Sequence, residues 1–87
     1  MRKIWSDEAW EDYLYWQGQD KKTLRKINSL LKDIDCNGYE CERHPEKLSG
    51  DLAGFYSVHI DKKNRIVFRI KDGILEISQC GSHYRDK

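Results

Sequence analysis

An 87-residue chain of which 38% is hydrophobic has room for a single domain, 1–87, with one modest core, because so short a chain buries a limited share of its surface. Sixteen basic against fifteen acidic side chains leave a formal net charge of +1. That balance excludes the broad positive field of a protein that coats nucleic acid indiscriminately, so any nucleic-acid contact is local.

Met-Arg-Lys precedes a short strand-like Ile4-Trp5, after which Ser6 with Asp7 and Glu8 reads as a helix start: the hydroxyl caps free amides and the acids suit the positive end of the dipole. Trp10, Tyr13, Leu14 and Gln17 recur at helical spacing; Gly18-Gln19 interrupts, and Asp20 offers a second N-cap. Leu24, Ile27, Leu30, Leu31 and Ile34 form the apolar stripe of a second helix, with Lys21, Lys22, Arg25, Lys26 and Lys32 on its other faces, until Asn37-Gly38 ends it. That basic face reads first as solvated surface and second as a contact for RNA phosphate.

Residues 39–53 have no clear period and read as a loop. The rest is strand-like: Phe55 to Ile60, a turn at Asp61-Lys62-Lys63-Asn64, Arg65 to Ile70, the hairpin signal Asp72-Gly73, and Ile74 to Cys80. The expected class is α+β, two N-terminal helices packed on an antiparallel sheet. If Lys71 opposes Ile74, then Ile66, Phe68, Ile70, Leu75 and Ile77 share the helix-covered face with Tyr56, Val58 and Ile60. Ser57, His59, Arg65, Val67 and Arg69 then look outward, beside Glu76 and Ser78.

The period-2 pattern thus assembles a polar face bearing His59, Arg65 and Arg69, with His83 and Tyr84 just beyond the last strand. Cleavage of a phosphodiester through the neighbouring 2′-hydroxyl needs a base, an acid for the leaving 5′-oxygen and a cation for the phosphorane. The loop supplies one carboxylate beside a proline, Glu46 in His44-Pro45-Glu46-Lys47-Leu48. Periodicity does not place it opposite His83, and on pattern alone both residues also read as ordinary surface. The cysteines, Cys36, Cys41 and Cys80, are odd in number, form no C-x-x-C pair and follow no signal-peptide pattern, so a reduced cytoplasm is expected. Their spacing does not suit zinc; no metal or cofactor is expected, and Cys80 reads as a small apolar residue. No apolar run approaches the roughly 20 residues of a membrane-spanning helix.

Ile4-Trp5-Ser6 and Trp10-x-Asp12-Tyr13-Leu14-Tyr15-Trp16-Gln17 resemble the opening of toxins of the YoeB/Txe branch of the RelE/ParE superfamily. Asp20-Lys21, Lys26-Ile27-Asn28 and Leu31-Lys32-Asp33 are similar to that family's second helix. Pro45-Glu46, Leu48, Leu52-x-Gly54-Phe55-x-Ser57, Arg65-Ile66-Val67 and His83-Tyr84 continue the likeness, which spans residues 4 to 84. The resemblance implies a microbial-ribonuclease-like (RelE-like) fold and a toxin of a type II toxin–antitoxin system. Such a toxin enters the ribosomal A site and cuts the exposed mRNA codon, leaving a 2′,3′-cyclic phosphate.

By the same resemblance Glu46 matches the general base, His83 the general acid, Arg65 the residue that holds the scissile phosphate, and Tyr84 an aromatic contact to RNA. The implied partners are a YefM-type antitoxin whose C-terminal segment covers His83 and Tyr84, the ribosome with its mRNA, and a second copy in a homodimer. The chain departs from the family where Val58-His59 replaces two common arginines, Ser49 a lysine and Lys47 a second proline. His59 and Lys47 are accordingly substrate-binding candidates of altered character, His59 with an imidazole able to stabilise phosphate or move a proton. Rival readings are an inhibitor on the same fold that binds DNA gyrase without cutting RNA, and a purely structural RNA-binding module.

Overall fold

A computed structural model describes residues 1–81. Its elements in chain order are β1 (Arg2–Trp5), α1 (Asp7–Gln19), α2 (Lys21–Asn37), β2 (Glu46–Lys47), β3 (Tyr56–His59), β4 (Arg65–Lys71) and β5 (Ile74–Gly81), with two single 3-10 turns in the loop around β2. The strands form one sheet in the order β1-β5-β4-β3-β2. β3 through β5 pair antiparallel, as expected; β2, within the stretch read as a loop, adds antiparallel to β3, and β1 lies parallel to β5, so the five-stranded sheet is mixed.

Both expected helix caps form. The Ser6 hydroxyl accepts the Ala9 N–H at 3.0 Å and donates to the Ser78 carbonyl at 2.8 Å, fastening the start of α1 to β5. Ser6→Ala is therefore expected to cost about 1–2 kcal/mol, a cap and a cross-element hydrogen bond together, read as a lower urea midpoint with an unchanged slope. Gly18 does not break α1, which runs on to Gln19. Asp20 makes the break alone: its extended backbone ends α1 by donating its N–H to the Trp16 carbonyl, and its carboxylate caps α2 by accepting the N–H groups of Lys22 and Thr23.

The stripe on α2 is buried as the pattern requires, through Ile27, Leu30, Leu31 and Ile34, against Val58, Ile60, Ile66, Phe68, Leu75 and Ile77 of the sheet. The inner face of α1 differs from its apolar pattern. Ala9 and Asp12 are buried, whereas Trp10 and Leu14 are largely exposed. Trp10 packs its ring on Trp5, with centroids 5.7 Å apart, while the small Ala9 takes the core-facing position. A second ring cluster joins Tyr39 to Tyr56 at 4.4 Å and to Phe68 at 5.9 Å, closing the other end of the core.

The Asp72-Gly73 turn sets Lys71 opposite Ile74, with both turn residues at positive φ. The register then shifts at Val67/Phe68, where Phe68 opposes Ile77 but Val67 opposes Gln79, leaving Ser78 as an extra residue in β5. Such a bulge bends its strand. Here it brings Gly81 opposite Arg65, where an unbroken ladder would have put Cys80.

The Asp61–Asn64 turn is held by one carboxylate. Asp61 accepts the N–H groups of Lys63 and Asn64, each at 2.8 Å, and the Asn64 side-chain amide at 3.0 Å. Partial burial works against its ionisation, but the Asn64 amide and the two backbone N–H groups outweigh it and hold the carboxyl below its usual range. Asp20 is likewise held low, first by the Thr23 hydroxyl and then by the Thr23 N–H. A depressed folded-state pKa gives stability that is present above the unfolded value, about 3.9, and is lost as the pH falls through the folded value. The urea midpoint is expected to decline below about pH 4, and less steeply in Asp61→Asn; equal slopes would show that this turn does not contribute.

Candidate active site

The sheet face turned away from the core is where the candidate residues meet. Directly opposed residues of neighbouring strands share a face, and the pairings Glu46↔Ser57, Ser57↔Val67 and Val67↔Gln79 draw one row across four strands. Two residues along, His59↔Arg65 and Arg65↔Gly81 draw a second row on the same face. Glu46 thus lies on the site face, about two strand spacings, roughly 10 Å, to one side of β4. Gly81 lies on the other side, immediately next to Arg65.

Arg65 stands between them. It is half-buried, and among the described residues its buried Nε–H meets no acceptor. A guanidinium N–H withdrawn from water without a partner is costly unless an anion completes it. Arg69, expected on this face as a third cation, is engaged: it donates from Nε to Glu76 at 2.9 Å and lies 4.8 Å from the Phe55 ring centroid. Ser57, Val67 and Gln79, in the middle of the face, are buried as well, and Glu46, His59 and Arg65 gather toward one end of it.

Lys47 does not join this group. It opposes Tyr56, whose side chain faces the core, so the alternation along β2 that turns Glu46 to the site turns Lys47 away from it. His83 and Tyr84 lie outside the described residues; the chain leaves β5 at Gly81 toward them. His59 is exposed and borders a shallow recess of about 380 Å³ lined also by Lys26 of α2, Arg43, Asp61 and Lys62. With Asp61 committed to its own turn, three cations dominate that recess. Their convergence from α2, the loop and the β3–β4 turn was hidden in the sequence, where each is one lysine or arginine among many.

The cysteines take no part. Cys41 and Cys80 are buried, Cys36 is exposed, and burial pushes the Cys41 thiol up. Among the described residues, no three His, Cys, Asp or Glu side chains gather to hold a metal ion, and no helix is long and apolar enough to cross a membrane.

The missed residue of most consequence is Asp12, 1% exposed on α1, whose carboxylate accepts the Cys80 N–H at 3.1 Å. Its spacing from Ala9 and Trp16, all on one face of the helix, was the available signal, but a carboxylate does not register in an apolar pattern.

Comparison with known proteins agrees with this architecture. The chain is 44% identical over 84 residues to the toxin YoeB of Escherichia coli K12, covering 97% of this chain and all of that protein. A YoeB–YefM heterotetramer from Staphylococcus aureus contains a chain 44% identical, superposing with a TM-score of 0.87 over 97% of this chain and 98% of its own. The Staphylococcus aureus YoeB dimer gives 44% identity and a TM-score of 0.85 over the same shares. The family profile of YoeB-like toxins matches residues 5–84, and on that extent and the shared RelE-like fold the chain belongs to the YoeB-like toxins of bacterial type II toxin–antitoxin systems.

Proposed function

We propose that this toxin is a ribosome-dependent endoribonuclease that cuts mRNA in the ribosomal A site by attack of the 2′-hydroxyl on the adjoining phosphate. The observation that carries the reading is the Arg65 Nε–H, buried without an acceptor among the described residues, between Glu46 on one side and the end of β5 on the other. A phosphate seated on Arg65 meets a carboxylate placed to take the 2′-hydroxyl proton. His83, outside the described residues, supplies the proton for the leaving 5′-oxygen, and the guanidinium holds the charge of the phosphorane. His59, beside Arg65, takes a neighbouring phosphate oxygen, and the recess of Lys26, Arg43 and Lys62 offers a path for the flanking RNA backbone.

The near-neutral net charge fits a nuclease that relies on the ribosome to bring and orient its substrate. Tyr84 stacks on a base. A YefM-type antitoxin silences the toxin by covering the segment with His83 and Tyr84, and the toxin pairs with a second copy of itself, as the Staphylococcus aureus relatives do in their complex and dimer.

The test is primer-extension mapping of mRNA ends on programmed ribosomes, beside ribosome-free mRNA and the Glu46→Ala and His83→Ala variants. Cuts inside the A-site codon that require ribosomes and fall to a slow residual rate in both variants are the expected result. Intact mRNA with the unaltered protein would overturn the reading in favour of gyrase inhibition.

A further inference from the structure

β1 ends at Trp5, opposite Ile77, and leaves the rest of β5 without a strand on that side. Side chains of α1 take over the edge. Cys80 is held there at three points: its N–H donates to Asp12 Oδ2 at 3.1 Å, its carbonyl accepts the Trp16 indole N–H at 2.8 Å, and its thiol donates to the Ala9 carbonyl at 3.5 Å. The next residue is fitted around the same carboxylate, since a Cβ at Gly81 would lie 3.2 Å from Asp12 Cγ and 3.4 Å from each of its oxygens. Gly81 is also the residue opposite Arg65.

Burying a carboxylate is expensive even with hydrogen bonds. An apolar side chain at position 12 would fill the same space but could not receive the Cys80 N–H. The site described above uses neither Asp12 nor Trp16, yet both grip the last turn of chain before His83, which is two residues past Gly81.

We propose that Asp12 and Trp16 are positioning residues for the general acid: by clamping the Cys80 peptide group they fix the point and direction in which the chain leaves β5 beside Arg65. The acid's role rests on the nuclease reading; the clamp itself does not. A misplacement of about 1 Å in a reacting group is enough to cost on the order of 100-fold in rate, and two covalently linked residues past a loosened Cys80 give room for that.

The experiment is single-turnover cleavage on programmed ribosomes by Asp12→Ala and Trp16→Phe, each in the natural and the His83→Ala background, with ¹⁵N relaxation of the free proteins. Trp16→Phe keeps an aromatic side chain while removing the indole donor and some volume, so it serves where Asp12→Ala fails to fold. In the natural background the rate is expected to fall about 10- to 100-fold while ribosome affinity stays within about twofold. In the His83→Ala background the same substitutions are expected to change the rate by less than about twofold, because the group they position is gone. Equal losses in both backgrounds, or no loss in the natural one, would overturn the proposal.

If the unaltered protein cuts nothing, the nuclease reading fails and the relaxation data judge the clamp. Heteronuclear NOE values from Cys80 onward are then expected to drop in both variants, and unchanged values reject it.

Discussion

Arg65→Ala is expected to slow the cleavage step by about 100- to 1,000-fold, the usual cost of removing one preorganised donor to developing charge, with ribosome binding nearly unchanged. Three observations set this size. The guanidinium is half-buried, where charge is poorly screened; its Nε–H has no acceptor among the described residues; and the sheet register places it between Glu46 and the end of β5. Arg65→Lys is expected to recover only part of the loss, because a single ammonium cannot reproduce the planar fork on a phosphate.

His59→Ala is the informative companion. His59 is exposed and faces Arg65 from the neighbouring strand, so its loss should cost less than the loss of Arg65. Single-turnover rates of the three variants check this. An Arg65→Ala rate within a few-fold of the unaltered protein would remove Arg65 from the chemistry and with it the centre of the proposed site.

Phe68→Ala is expected to have the largest effect on stability. Phe68 is fully buried in the middle of the sheet, packed among the core residues and in ring contact with Tyr39 and Tyr56. Truncation of such a side chain costs about 3–5 kcal/mol, against a stability on the order of 5–10 kcal/mol for a domain of this size. The urea midpoint should fall by about a third or more. A loss below about 1 kcal/mol would mean that the rings of Tyr39 and Tyr56 collapse into the space.

How far the fold was legible depended on whether each signal is local. The caps at Ser6 and Asp20, the α2 stripe and the Asp72-Gly73 turn are short-range statements, and the structure contains them all. The pairing of β1 with β5 joins residues some seventy positions apart, and nothing in Arg2–Trp5 announces it. β2 has two residues and shows no alternation, so Glu46 could be placed on the site face only once its pairing with Ser57 was seen. The bulge at Ser78 was equally hidden, although it decides that Gly81 adjoins Arg65. The outward face was read correctly at His59 and Arg65 and too generously at Arg69, because alternation gives the side of the sheet but not the partner across it.

The place of β5 has a bearing on biosynthesis. It is the latest of the five strands to be made, yet it sits inside the sheet, between β1 and β4. Until it emerges from the ribosome, β1 has no strand to pair with, α1 has only α2 and β1 to lie against, and β4 has one bare edge. Contacts so distant in sequence form late. In a nascent chain the sheet, and with it the face that carries Arg65, is therefore completed only once the last strand has been made.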